Sequence, residues 1–259
     1  MSPHPLVIAH RTCPLDADEN SLAGVVAAAR LGADAVELDV RRCLGGTPVL
    51  MHDPIGWRTA RWPWPIRWTS QERLSQLRLI KGGPVPTLAD ILVQLPDTVA
   101  VAIDLKDPRA IRSVIDTIEI ADAQKRVMVW CRRQSALKLA AKIVPEIKRA
   151  LLRDTHDAES TARYLRDAAD LGVHAVSLHE RFTTPEAVNA GHLLGLSVYS
   201  WAQSERAHGP LLDTGIDGLV TDWPLAARRL IDKHWQGRGG PGVYGPVPPA
   251  STDEAPQDV

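Results

Sequence analysis

Eight short apolar runs recur along the chain, and between them lie longer stretches whose apolar residues repeat at helical spacing. A chain patterned this way must bury strand faces against helix stripes, which favours a parallel sheet covered by helices. The strand-like runs are Leu6–His10, Ala35–Val40, Val99–Leu105, Val127–Cys131, Arg149–Leu152, Ala175–Leu178, Ser197–Trp201 and Gly218–Thr221. The helical stretches are Ser21–Leu31, Leu88–Leu95, Ala110–Ile120, Ser135–Val144, Ser160–Leu171, Pro185–Leu194, Ser204–Thr214 and Pro224–Asp232. Eight repeats in 259 residues predict an α/β fold closed as a single (β/α)8 TIM barrel, which typically occupies about 250 residues. An open doubly wound sheet is the alternative. Thr184-Pro185 and Asp222-Trp223-Pro224 read as helix entries, and Gly32, Gly172, Gly195 and Gly215 as helix stops.

Two segments break the alternation. Residues 54–86 form an insertion after the first hairpin and contain Trp57, Trp62, Trp64 and Trp68. Residues 237–259 are rich in Gly and Pro and end acidic, as expected of a flexible tail. The expected division is therefore a barrel over 1–236, including the insertion, followed by the tail.

Composition narrows the function classes. With 30 basic and 31 acidic side chains, net charge gives no case for nucleic acid as a partner. Cys13, Cys43 and Cys131 are odd in number and lack a CxxC pair, so neither a disulfide framework nor a thiolate zinc site is expected. No signal-like leader or membrane-length apolar run stands out, and the expected location is cytoplasmic.

The chemistry gathers at the strand ends. In Glu37-Leu38-Asp39, strand alternation turns both carboxylates to one face, with Val36, Leu38 and Val40 facing the helices. Two inward carboxylates this close repel unless a proton or cation separates them, and a hard divalent metal suits them. The same parity turns Ala102, Asp104 and Lys106 inward, adding a third carboxylate and a cation. His10 faces inward with Ile8, whereas Arg11 reaches the mouth only if the strand ends or turns there. A two-residue Gly45-Gly46 turn, pairing Leu44 with Thr47, would bring His52 opposite Asp39. Two histidines, a metal site and nearby cations suit phosphodiester cleavage. One imidazole takes a proton from the nucleophile and the other protonates the leaving alkoxide, while Arg11 and Lys106 neutralise phosphoryl oxygens.

These residues also carry a resemblance. His10-Arg11-Thr12, Glu19-Asn20-Ser21, Glu37-Leu38-Asp39 and His52-Asp53 resemble, in order, the motifs of the glycerophosphodiester phosphodiesterases. The likeness continues through Val85-Pro86-Thr87-Leu88, Asp104-Leu105-Lys106, Trp201 and the stretch from Gly215 to Pro224. It implies a TIM barrel that hydrolyses glycerophosphodiesters to glycerol 3-phosphate and an alcohol through a cyclic phosphate. It also implies one Mg²⁺ or Ca²⁺ on Glu37, Asp39 and Asp104, catalysis by His10 and His52, phosphate binding by Arg11 and Lys106, and Trp201 in the substrate pocket. Thr12 stands where the family has glycine, Asp104 where it has glutamate, and Ala202-Gln203 where it has Thr-Val.

The tryptophans of 57–68, interleaved with Arg58, Arg61 and Arg67, read either as a self-packed loop or as a lip making transient membrane or lipid contact. Arg132-Arg133, His156 and His179 are further candidates for the mouth. The expected partner is a small-molecule phosphodiester. Lysophospholipase D-like hydrolysis of lipid phosphodiesters, and non-catalytic binding of phosphate esters, are the alternatives.

Overall fold

The structure is a computed structural model that describes residues 4–236. The expected tail at 237–259 lies outside the described residues. Eight parallel strands form the barrel: β1 (Leu6–Ala9), β2 (Ala35–Arg42), β4 (Ala100–Leu105), β5 (Val127–Cys131), β6 (Lys148–Leu152), β7 (Ala175–His179), β8 (Ser197–Trp201) and β9 (Gly218–Thr221). Each follows its neighbour in order, and β1 pairs with both β2 and β9. That double pairing closes the sheet, so the barrel holds and the open doubly wound sheet does not. A short antiparallel strand, β3 (Pro48–Leu50), returns along β2.

The outer layer consists of α1 (Leu22–Arg30), α4 (Leu88–Gln94), α5 (Ile111–Ile120), α6 (Gln134–Ile143), α7 (Ala158–Asp170), α8 (Pro185–Leu193), α9 (His208–Asp213) and α10 (Pro224–Gln236). The insertion supplies α2 (Trp57–Ala60) and α3 (Gln71–Gln76). Helix starts follow the sequence signals: Thr184 Oγ1 accepts from Ala187 N ahead of Pro185, and Thr87 and Asp90 form a reciprocal cap on α4. Gly32, Gly172, Gly195 and Gly215 all have positive φ, as helix stops require.

Strand alternation sorts the apolar side chains into two cores. Outward residues such as Val36, Leu38, Val40 and Ile103 join the helices in the large core. Inward residues fill the barrel: Ile8, Ala35, Ala102, Trp130, Ala150, Ala175, Tyr199 and Val220. The four alanines leave room for Trp130 and Tyr199, whose rings stack with centroids 5.6 Å apart. At Gly218 a Cβ would lie 2.8 Å from Tyr199 Cδ1, so a bare backbone is needed there. The insertion packs separately on Cys43, Val49, Met51, Ala60, Ile66, Leu74, Leu79 and Val85. No helix among the described residues is long and apolar enough to cross a membrane.

Candidate active site

Parallel register assembles the acidic cluster. Glu37 pairs with Ala102 and Asp39 with Asp104, so Asp39 and Asp104 are cross-strand neighbours at the C-terminal end of the barrel. Ligand oxygens of Glu37, Asp39 and Asp104 all lie within 4.8 Å of one another, and all three residues are buried. Asn20 braces Asp39 from both sides, donating through Nδ2 to Oδ2 at 2.8 Å and accepting from Asp39 N at 2.8 Å. Lys106 Nζ lies 3.0 Å from Asp39 Oδ1 and donates to Asp104 Oδ2.

The charges in this cluster do not balance by themselves. Burial, and then repulsion from Asp39 and Asp104, holds the Glu37 carboxyl well above the usual range. Burial also raises Asp104, against the pull of Lys106. Asp39 is pushed up by burial, but Lys106, Arg11 and the Asn20 amide together hold it below the ordinary value. Three oxygen ligands at this spacing, two of them reluctant to ionise without a further positive charge, fit a hard divalent cation.

Barrel closure sets His10. Ala9 pairs with Thr221 across β1 and β9, and His10 N donates to Thr221 O at 3.0 Å. The next residue of each strand therefore meets the other, and His10 Nδ1 donates to Asp222 Oδ1 at 2.7 Å. The Trp201 ring packs against His10 with centroids 5.3 Å apart.

Arg11 reaches the mouth because the strand ends at Ala9 and the backbone turns left-handed, with φ 45° at Arg11 and 75° at Thr12. Its backbone N donates to Glu37 Oε2 at 2.8 Å. Its guanidinium lies 3.4 Å from Asp39 Oδ2 and donates to Glu19 Oε2 at 3.3 Å.

His52 arrives by a different register from the one expected. Arg42 pairs with Pro48, Arg41 with Val49 and Val40 with Leu50, which puts Met51 opposite Asp39: Met51 N donates to Asp39 O at 2.9 Å. The turn holds three residues, Leu44-Gly45-Gly46, between a Cys43–Thr47 pair, with φ 90° and 96° at the glycines. His52 comes one residue after that pairing, beyond the end of β3, and from there it lines the same cavity as Glu37 and Asp104. Its Nδ1 donates to Asp53 Oδ1 at 2.7 Å.

A cavity of about 210 Å³ joins these groups. It is lined by His10, Arg11, Glu37, His52, Asp104, Lys106 and Trp201, with Trp130, Arg132, Arg153, Asp154 and His179 on its remaining walls. A larger open groove of about 510 Å³ beside the hairpin contains none of the candidate catalytic or metal residues. Arg132 is half-exposed and paired in two-pronged fashion with Asp154, at 2.6 and 2.8 Å. Arg133 and His156 do not line the cavity.

Asp53, Asp222, Glu19 and Arg58 contact the candidate site residues, a part the sequence analysis does not assign to them. The adjacency of His52 and Asp53 was a local signal. The partnership of His10 with Asp222 spans 212 positions and had none.

The sequence profile of the Glycerophosphoryl diester phosphodiesterase family matches residues 10–226. Probable glycerophosphodiester phosphodiesterase 2 of Mycobacterium tuberculosis is 31% identical over 234 residues, covering 78% of this chain and 81% of that protein. Glycerophosphodiester phosphodiesterase of Caldanaerobacter subterraneus subsp. tengcongensis is 27% identical, covering 88% and 98%. Among solved structures, an Oleispira antarctica phosphodiesterase in complex with the product sn-glycerol-3-phosphate superposes with a TM-score of 0.79 at 23% identity, covering 88% and 97%. Glycerophosphodiester phosphodiesterase from Thermotoga maritima does so at 0.75 and 22%, covering 89% and 100%.

Proposed function

The chain belongs to the glycerophosphoryl diester phosphodiesterase family, and from that premise we propose that it hydrolyses glycerophosphodiesters to glycerol 3-phosphate and an alcohol. The observation that carries this reading is a single cavity bordered by two histidines and by Glu37 and Asp104 of the three-carboxylate cluster, each histidine anchored through Nδ1 to an aspartate. The Oleispira neighbour's complex with sn-glycerol-3-phosphate supports the product assignment.

Glu37, Asp39 and Asp104 are the residues to hold one Mg²⁺ or Ca²⁺. Such an ion, when bound, polarises a phosphoryl oxygen and lowers the pKa of a coordinated hydroxyl. Asp222 and Asp53 fix the two imidazoles and leave each Nε2 to the substrate. One histidine accepts the proton of the attacking glycerol hydroxyl as its oxygen bonds to phosphorus. The other protonates the departing alkoxide as the bond from phosphorus to the alcohol breaks. Water then opens the cyclic phosphate with the proton roles reversed. Arg11 and Lys106 meet the non-bridging oxygens, and Trp201 walls the pocket behind His10. We also propose that the protein acts in the cytoplasm, since three buried cysteines without a disulfide suit a reducing compartment.

The test is direct. The purified protein is offered glycerophosphocholine, glycerophosphoethanolamine and lysophospholipids with Mg²⁺, Ca²⁺ or chelator, and release of glycerol 3-phosphate is followed. Turnover that needs a cation and is lost in His10→Ala and His52→Ala is expected. No hydrolysis of any substrate with either cation would overturn the reading.

A lipid substrate is the second reading, and the insertion favours it. Trp62 packs into the insertion's core, whereas Trp57, Trp64 and Trp68 are 57%, 61% and 62% exposed. Besides Arg58, which Glu19 and Asp53 engage, residues 54–86 carry Arg61, Arg67, Arg73, Arg78 and Lys81 against the single acid Glu72, in a chain whose net charge is -1. Exposed indoles beside surplus cations suit an anionic lipid surface. Sedimentation with phosphatidylserine vesicles should deplete the protein from solution, and Trp64→Ala/Trp68→Ala should abolish that depletion. Equal recovery with neutral and anionic vesicles would exclude it.

A further inference from the structure

Arg58 lies in the insertion, on the short helix α2, yet its guanidinium reaches back to the barrel mouth. It donates through NH1 and NH2 to the two carboxylate oxygens of Glu19, both at 2.6 Å. Through Nε it donates to Asp53 Oδ2 at 2.8 Å. Each of those acids has a second partner in the proposed machinery. Glu19 Oε2 also accepts from Arg11 at 3.3 Å, and Asp53 Oδ1 accepts from His52 Nδ1 at 2.7 Å. The five side chains therefore run in sequence: Arg11, Glu19, Arg58, Asp53, His52.

We propose that Arg58 is a positioning residue for the reaction: it occupies Glu19, so that Arg11 keeps its charge for the substrate phosphate, and it fixes the aspartate that orients His52. This rests on the phosphodiesterase reading given above. Arg11 already faces Glu37 and Asp39. A Glu19 carboxylate with no other partner would turn its whole charge on Arg11 and compete with the incoming phosphate. The distances show which pairing dominates, because Glu19 is held more closely by Arg58 than by Arg11.

An isolated surface ion pair would carry little weight. Here one planar fork joins two carboxylates from separate segments, and the Glu19 side chain is only 13% exposed. Lysine, a point charge on a flexible stem, cannot span both partners at once. The helix does not depend on Arg58 for its seat: Thr59 and Ala60 are buried, and Thr59 Oγ1 donates to Met51 Sδ at 2.9 Å. Arg58 also follows the exposed Trp57 directly, so the lip and the catalytic mouth meet at this side chain.

The experiment combines steady-state kinetics on glycerophosphocholine with calorimetric binding of sn-glycerol 3-phosphate. Arg58→Ala should raise KM and weaken product binding by about tenfold to a hundredfold, the range for charge-assisted contacts, and should lower kcat as well. Adding Glu19→Gln to Arg58→Ala should restore KM and product binding while leaving kcat low, since Asp53 stays unfixed. Arg58→Lys should recover only part of the loss. Arg58→Gln keeps the stem's packing and should behave like Arg58→Ala, which covers a folding defect in the smaller variant. An unchanged KM and product affinity in Arg58→Ala and Arg58→Gln, or no rescue by Glu19→Gln, overturns the proposal. Absence of turnover by the unaltered protein would instead count against the phosphodiesterase reading, and the binding measurements would still judge the role of Arg58.

Discussion

Thr12 adopts φ 75°, a region that a β-branched residue enters only under strain. It does so because Arg11 and Thr12 must reverse the chain immediately after β1, and Thr12 N is tied to Glu37 O at 3.0 Å. Its side chain is fully buried against α1, where a Cβ on Gly24 would lie 2.1 Å from Thr12 Oγ1. Gly24→Ala should therefore cost about 1–3 kcal/mol in urea unfolding. In a Thr12→Gly background only Asp18 O, 3.2 Å away, stays close, and the same change should cost much less. A double-mutant cycle would read this as a coupling of about 1 kcal/mol or more, and additive effects would refute the contact. Asp222 gives a functional prediction at the same scale. Asp222→Asn keeps the shape but loses the charge and can favour the wrong His10 tautomer, so kcat should fall roughly a hundredfold with stability little changed. A kcat equal to that of the unaltered protein would remove Asp222 from the proposed mechanism.

At the level of elements, β2 and β4 carry the carboxylates, and their register couples stability to pH. The folded-state pKa of Glu37 lies well above the ordinary value, from burial first and then from Asp39 and Asp104. A carboxyl raised in the folded state favours folding while protonated. Its contribution is complete below the unfolded value of about 4.3 and is lost as pH rises through the folded value. Cation-free protein should accordingly lose Tm as pH climbs above the ordinary carboxylate range, relative to Glu37→Gln, which lacks that loss. Mg²⁺ or Ca²⁺ should raise Tm more at the upper end of the range, because binding needs the ionised acid. Parallel curves for the two proteins would contradict this account. The β2–β3 hairpin illustrates how much a turn decides. Gly45-Gly46 announces a reversal in the sequence, but the third turn residue, Leu44, shifts the pairing by one. His52 reaches the cavity because the strand stops short, not because the ladder carries it opposite Asp39.

On the scale of the molecule, the large core links every barrel strand to the helices, while the insertion packs on a small cluster of its own. Amides of residues 54–86 should then exchange with solvent by a sub-global opening ahead of those in β2, β4 and β5. Simultaneous exchange of both regions would show the insertion to be part of one cooperative unit. The barrel itself, the inward parity of Glu37, Asp39, Asp104 and His10, and the seats of most helices were legible in the sequence. Alternation and helical spacing report which face of an element is buried, and that information is local. What lay outside its reach depends on closure and register. The meeting of His10 with Asp222 required β1 to pair with β9, and the entry of Arg11 required a left-handed turn at non-glycine residues. The link from Arg58 to Glu19 and Asp53 required an insertion folded back on the mouth. The sequence alone determined the strand faces and the chemical groups they carry. The tertiary structure decided which groups touch, because pairing across the closed barrel joins residues whose separation along the chain carries no periodic signal.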